Sequence, residues 1–222
     1  MNNSERKQSE ADTSYSHLHE AIVRGELLPN QRLIELELAK QFGVGRAAIR
    51  TALDRLTQDG LVAHEPNRGA HVRLILLEEA VEMFETRAVL EGLALRYAAN
   101  NASAADILEL QSITEQMEQS FAAGDLLAVS EGNAHLHARL LQIANHQTVT
   151  RLLERLQANH VHFQYRMILM PGRAASSLQE HRVIVDAIAA HNAEAAEAAM
   201  RQHLSHSAEA LRQSGKSLIV DR

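Results

Sequence analysis

Two short amphipathic segments separated by one turn, within residues 35–60, constrain the fold of this chain more than any other feature. Their apolar residues recur at three- and four-residue spacing, which predicts two helices that each bury one face. These residues are Leu38, Ala39 and Phe42 in the first segment and Ile49, Leu53 and Leu56 in the second. Gly43 follows the first segment and Gly60 follows the second, as expected where helices end.

Two predicted β segments follow the second helix. We expect strands at 61–65 and 70–73, joined by a turn over 66–69 that contains Pro, Asn and Gly. Helix, turn, helix and β-hairpin in this order make up a winged helix-turn-helix. In that motif the second helix lies in the major groove of DNA, where residues near its N-terminal end contact base edges.

Six residues of the motif are candidates for DNA contact: Arg32 and Thr51 for phosphates, Arg46 and Arg50 for bases or phosphates, and Arg68 and Gly69 at the tip of the wing. Arg46 and Arg50 lie four residues apart, and an arginine forked onto guanine is the commonest base-specific contact. The alternative is a solvated helix face on which Arg50 pairs with Asp54. At the wing, Gly69 lets the backbone approach DNA closely while Arg68 reaches the minor groove or a phosphate.

Further short segments extend this pattern: 25–29 (GELLP), Arg32-Leu33, Leu38-Ala39, 43–46 (GVGR), Ile49-Arg50, Ala52-Leu53, Arg55-Leu56, 60–62 (GLV) and 67–70 (NRGA). Together they resemble the DNA-binding domain of the GntR family of bacterial transcription regulators. The chain departs from that family at Asn30, where Gly is usual, and at Gly45, where Ser or Thr is usual. The missing hydroxyl at Gly45 weakens the cap of the recognition helix by about a few tenths of a kcal/mol.

The charge of the chain is unevenly distributed. Its 222 residues carry a formal net charge of −6 and no cysteine, yet residues 1–73 hold ten basic and ten acidic side chains. DNA binding needs only a local basic patch, which the arginines of the motif supply. The lack of cysteine fits a reducing compartment. We find neither a signal peptide nor an apolar run of membrane-spanning length, and so expect a cytoplasmic protein without a membrane partner.

Composition and periodicity predict a mainly α fold in two domains. We expect a disordered tail over 1–13, a winged helix-turn-helix of three helices and a β-hairpin over 14–73, and a linker over 74–77. An antiparallel all-helical bundle of about six helices should occupy 78–213, before a tail over 214–222.

Within the bundle, helices are predicted near 78–99, 103–122, 125–144, 147–169, 175–191 and 193–213. Ser103 and Asp125 are expected to cap two of these helices at their N-termini.

Histidines concentrate in this second domain, where nine of the thirteen follow residue 130. Asn133 and His137 lie four residues apart and share a helical face. Side chains that project inward from several helices can build a metal site in a bundle. For any single helical histidine, a surface or hydrogen-bonded core position is the alternative.

Four groups of residues select among these histidines: Arg87, Leu90 and Glu91; Asn133, His137, Leu140 and Asn145; Glu180-His181; and His203-Leu204. They resemble the FCD ligand-binding domain of the FadR branch of GntR regulators. In that family an acidic residue and three histidines commonly hold a divalent metal, which implies a Zn²⁺ or Ni²⁺ site at Asn133, His137, His181 and His203. Asn133 is uncharged, so the ion keeps its full charge and favours an anionic effector.

Arg87 and Arg139 are the candidates for binding an effector carboxylate. If Arg87 faces the cavity, its fork can hold a carboxylate with two hydrogen bonds. An ion pair with Glu91, one helical turn on, is the alternative. Arg139 follows His137 by two positions and should point in a different direction.

We therefore expect a homodimeric repressor that binds double-stranded operator DNA and responds to a small organic acid bound beside a metal ion. One alternative is a metal-free regulator that senses a neutral or acyl ligand. Another is a metal-dependent enzyme, because three histidines and an open position also describe catalytic zinc. That reading leaves the winged domain unexplained and lacks a convincing general base. A purely architectural DNA binder would have no use for the large helical domain.

Overall fold

The structure, a computed structural model, describes residues 3–23, 25–65, 69–168 and 170–219, with side chains described for 9–22, 25–65, 69–156, 167 and 170–214. The described residues form nine helices and three strands. They divide into two compact units, Met1–Ile75 with Arg155–His162 and Leu76–Glu154 with Phe163–Arg222.

The elements follow one another in this order: α1 (Asn3–Val23), β1 (Arg32–Leu33), α2 (Glu35–Phe42), α3 (Arg46–Gln58), β2 (Val62–Glu65), β3 (Gly69–Val72), α4 (Leu77–Asn101), α5 (Ala104–Ala122), α6 (Leu126–Ala144), α7 (Gln147–Ile168), α8 (Arg173–Ala189) and α9 (Ala193–Ile219). This mainly helical arrangement with a small wing confirms the predicted fold class.

In the first unit, α1 and α2 pack against α3 beside an antiparallel sheet of order β1–β3–β2. The core is built from the predicted helix faces, and Ile49, Leu53 and Leu56 are fully buried. Gly43 ends α2 in the left-handed conformation, with φ of 66°, which glycine adopts without strain. The sequence did not predict β1, which pairs Arg32 with His71 and Leu33 with Ala70 of β3.

The predicted disordered tail over 1–13 is wrong for the residues that the structure describes. Helix α1 begins at Asn3 rather than at Ser14. The reason is a buried stripe that starts before the predicted helix, in which Ala11 and Ser14 precede Leu18 and Ile22 at three- and four-residue spacing. The Ser14 hydroxyl also donates a hydrogen bond to the backbone oxygen of Glu10.

The second unit is helical throughout, and α4 packs most extensively against α9. Ser103 and Asp125 cap α5 and α6 as predicted, each accepting a backbone N–H from the third residue on. The capping box of Ser103 is completed by Asp106. Helix α9 continues to Ile219, so the tail expected from 214 is helical over 214–219. Within the described part of the chain, each helix is too short or too polar to cross a membrane.

Candidate nucleic-acid interface and metal centre

The recognition helix α3 begins at Arg46, directly after Gly45. Gly45 occupies the N-cap position in an extended conformation and offers no side-chain cap, as expected for glycine. The side chains of Arg46 and Arg50 are 60% and 63% exposed. They therefore protrude from the helix instead of packing in the core, which leaves them available to an external partner.

Both arginines bind Glu35, the first residue of α2. Arg50 donates from Nε and Nη2 to the two carboxylate oxygens at 3.1 and 3.2 Å, and Arg46 donates from Nη2 at 3.2 Å. The hydrogen bonds from Arg50 in particular hold the pKa of Glu35 below its usual value. In place of the Arg50–Asp54 pair that was the alternative from the sequence, Arg50 pairs with Glu35. This interaction joins α2 to α3.

The other candidates for DNA contact have different surroundings. Arg32 is exposed on β1, and the exposed Thr51 donates its hydroxyl to the backbone oxygen of Ala47. Gly69 begins β3 with φ of 73° and has open space where a Cβ would stand. Arg68 lies outside the described residues.

Three histidines meet in the interior of the second unit. His137 of α6, His181 of α8 and His203 of α9 each offer a ring nitrogen, and these nitrogens lie within 4.8 Å of one another. All three side chains are buried, and His181 is completely inaccessible. The three histidines selected by resemblance are therefore brought together by the fold. Asn133, one turn before His137, is partly buried.

Two carboxylates, the buried Glu91 and the partly buried Glu180, orient the cluster. Oε2 of Glu91 lies 2.7 Å from Nδ1 of His137, and Oε2 of Glu180 lies 2.6 Å from Nδ1 of His203. A carboxylate on one ring nitrogen leaves Nε2 as the nitrogen that can bind a metal. His181 differs, because neither of its buried ring nitrogens has a hydrogen-bond partner.

Burial sets the protonation state of these histidines. It lowers the pKa of His203 to about 4, although the hydrogen bond to Glu180 opposes the shift. Burial also lowers the pKa of His181 well below its usual value, and positive charge on His203, His137 or Arg173 would oppose a proton there further. Both rings are thus held neutral at pH 7, which is the form that binds metal ions.

Arg87 is buried and pairs with Glu91, its Nε lying 2.7 Å from Oε1. This is the alternative that the sequence left open. Arg139 does not join the histidine cluster but binds Asp106 and Glu109 of α5. Two residues turn a helix by about 200°, which carries Arg139 away from His137, so its proposed contact with the effector has no support from this geometry.

Sequence reasoning missed Arg173, which stands at the start of α8. Its Nη2 donates to Glu180 at 2.8 Å and to the Ser207 hydroxyl at 2.9 Å, and it also reaches the backbone oxygen of His203. Its Nη1 is buried and has no hydrogen-bond partner. No helical periodicity identifies such a residue, because its position depends on the packing of α8 against α9.

The donor set fits a first-row divalent metal. Three imidazoles from three helices are typical ligands of zinc, nickel and related ions. A buried polar atom without a partner is costly, and His181 buries two of them. A metal ion bound to one ring nitrogen of His181 would remove part of that cost.

The sequence of this chain matches two known domain families. Residues 82–206 match the FCD domain, and residues 11–72 match the bacterial regulatory proteins of the gntR family. The chain belongs to the GntR family of bacterial transcription regulators, with an FCD domain behind its winged helix-turn-helix. Its class is therefore that of DNA-binding regulators and not of enzymes.

Individual proteins show the same two-domain similarity. The HTH-type transcriptional regulator YdhC of Bacillus subtilis (strain 168) is 29% identical over 201 residues, which cover 89% of each chain. The HTH-type transcriptional repressor RspR of Escherichia coli (strain K12) is 27% identical over 90% of this chain and 87% of its own. The crystal structure of a GntR transcriptional regulator from Rhodococcus sp. RHA1 superposes with a TM-score of 0.76 at 25% identity, covering 92% of this chain and 98% of that one.

Proposed function

We propose that this regulator is a homodimeric repressor whose DNA affinity is set by a small organic acid bound beside a divalent metal ion in the helical domain. The observation that carries the proposal is His181, a fully buried imidazole with two unpartnered nitrogens between two other histidines. His137, His181, His203 and the amide oxygen of Asn133 are the proposed ligands, with Zn²⁺ or Ni²⁺ as the ion.

The electrostatics of the site favour an anionic effector. None of the four proposed ligands brings a negative charge, so the ion would supply its full positive charge to whatever completes its coordination. Arg173 adds a buried guanidinium beside His203, with Nη1 still free to donate. Arg87 and Arg173 are each paired with a carboxylate, that of Glu91 and that of Glu180, but Nη1 of Arg173 still lacks a hydrogen-bond partner. We therefore assign the effector carboxylate to the metal ion and Arg173, with Arg87 as a further candidate.

On the DNA side, Arg46 and Arg50 are the proposed base contacts, because they protrude together from the N-terminal end of the recognition helix. Arg32, Thr51, Arg68 and Gly69 complete the proposed interface. A homodimer is proposed because one recognition helix reads few base pairs, and two-fold symmetry lets a pair read a palindromic operator.

Regulation requires that the effector bind the DNA-competent and DNA-incompetent dimers with different affinity. Such coupling is typically about 1–3 kcal/mol. Repression is supported by the similarity to one relative that is a transcriptional repressor, RspR of Escherichia coli. We place the protein in the FadR branch on the strength of its FCD domain, and in the cytoplasm, where operator DNA is found.

A thermal-shift screen of small mono- and dicarboxylic acids tests the proposal. Full-length protein purified without a nickel column is stripped with a chelator and screened with and without added Zn²⁺ or Ni²⁺. We expect an acid that stabilises the protein only when the ion is present and that releases a selected operator duplex. Equal stabilisation without the ion would instead favour the metal-free regulator, with His181 and Arg173 binding the ligand directly.

A further inference from the structure

Glu35 lies where a DNA-binding surface would ordinarily avoid an acid. It is the first residue of α2, and its half-buried carboxylate touches the two arginines that protrude from α3. In a helix-turn-helix the first helix crosses the DNA backbone. A carboxylate at this position therefore opposes the approach of phosphates.

The hydrogen bonds leave Arg50 in a defined orientation. Its Nε and Nη2 both bind Glu35, so the side edge of the guanidinium is occupied. The end edge, formed by Nη1 and the second N–H of Nη2, faces away from the carboxylate. This end edge has the geometry that donates two hydrogen bonds to O6 and N7 of guanine.

Arg46 shares the same carboxylate through a single Nη2 contact. Two guanidiniums one helical turn apart repel each other unless an acid lies between them. Glu35 thus holds the two forks close together and halves their combined charge. Phosphate contacts depend mainly on charge and carry no direct sequence information, whereas base contacts depend on the placement of the donors.

We propose that Glu35 is a specificity-determining residue, which fixes Arg46 and Arg50 for reading adjacent bases and weakens binding through phosphates alone. This inference rests on the proposed role of the two arginines in base contact. It adds to the interface an acidic residue that no sequence pattern assigned to it.

The test compares full-length wild type with Glu35→Gln, Glu37→Gln and Arg50→Ala. Glu37 is the matched control, because it is an exposed acid in the same first turn of α2. A duplex enriched by the wild type from a random pool is the specific target, and a scrambled duplex of equal length is the non-specific one. Fluorescence anisotropy at several salt concentrations gives the ratio of the two affinities for each protein.

We expect Glu35→Gln to bind the scrambled duplex more tightly and to lower the specificity ratio roughly tenfold, while Glu37→Gln keeps the ratio within about twofold. If Glu35→Gln raises both affinities equally, only its charge matters and the positioning role is rejected. If Arg50→Ala itself leaves the ratio unchanged, the proposed base contact fails and the role of Glu35 fails with it. If Arg50→Ala lowers the specificity ratio and Glu35→Gln does not, the base contact stands and only the role of Glu35 is rejected.

Discussion

Nδ1 of His137 lies 2.7 Å from Oε2 of Glu91, although the two residues are 46 positions apart in the chain and belong to different helices. Burial alone raises the pKa of Glu91, but the charges of Arg87 and His137 outweigh it and lower the pKa below its usual range. Glu91 is thus an ionised carboxylate in the interior. It offsets a buried arginine with one oxygen and orients a candidate metal ligand with the other.

Replacing Glu91 should affect both stability and metal binding. Glu91→Gln leaves Arg87 buried without its counter-charge, which should cost about 3–5 kcal/mol of unfolding free energy in metal-free protein. Loss of the carboxylate on His137 should also lower metal affinity by about 10–100-fold. Urea unfolding and metal titration measure the two effects. Glu82→Gln, at an exposed position of the same helix, should change stability by less than about 0.5 kcal/mol, and an equal loss in both variants would contradict the account.

The stability of metal-free protein should fall as the pH drops from about 6.5 to 4. Unfolded histidine takes up a proton near pH 6.5, whereas burial lowers the pKa of folded His203 to about 4. Between these values the unfolded state binds more protons, so stability rises with pH and is lost on acidification. The contribution of His203 alone is about 3 kcal/mol.

Glu180 extends this dependence to lower pH. Burial raises its pKa, but hydrogen bonds from the neighbouring histidines and the charge of Arg173 lower it to about 2. Its stabilising contribution is present above pH 4.5 and decreases as the pH falls towards 2. Urea unfolding of chelator-treated protein at pH 7.5, 6.5, 5.5 and 4.5 measures the profile. A profile that is flat from pH 6.5 to 4.5 would show that His203 is not buried in its neutral form.

The arginines of the recognition helix should control operator binding without supporting the fold. Arg46→Ala combined with Arg50→Ala should abolish specific binding, because two base-contacting arginines contribute about 1–3 kcal/mol of discrimination each. Arg182→Ala with Arg201→Ala removes the same charge from exposed positions of the helical domain and serves as the control. Unchanged operator affinity in the first double variant would reject the proposed interface.

Substitutions of Arg139 and Arg173 should distinguish an arginine in a surface ion pair from one that contacts the effector. Arg139→Ala breaks a partly exposed pair with α5, which should cost no more than about 1 kcal/mol and leave effector affinity unchanged. Arg173→Gln removes the buried guanidinium beside His203 and should lower the affinity for a carboxylate effector by at least about tenfold. Calorimetric titration of an acid found in the screen measures both. Equal effector affinity in the two variants would exclude Arg173 from the site.

The sequence predicted those parts of the molecule that depend on local patterns. Apolar spacing placed α2 and α3, Gly43 marked the end of α2, and Ser103 marked the start of α5. The resemblance to the FCD domain identified the three histidines of the cluster, since spacing alone could not distinguish them among the thirteen histidines of the chain. The turn of a helix correctly indicated that Arg139 points away from His137, although the residue was still assigned to the effector.

The contacts that the sequence did not predict join residues distant in the chain. Glu35 meets Arg46 and Arg50 across 11 and 15 positions, and Glu180 meets His203 across 23. The apolar periodicity of a sequence cannot predict such pairs, because they form only when different helices pack together. The early start of α1 was missed because Ala11 stands among polar and charged neighbours in the sequence, yet is buried in the folded domain.

The most direct test of the account is calorimetric titration of Zn²⁺ or Ni²⁺ into chelator-stripped wild type and His181→Ala, with His135→Ala as a control at an exposed position of α6. We expect one ion per chain for wild type and His135→Ala, and a loss of affinity of at least about tenfold for His181→Ala. Because burial holds His181 and His203 neutral at pH 7, these two rings should release no protons when the ion binds. Binding of equal strength in His181→Ala, or none in the wild type, would contradict a metal centre at these three histidines.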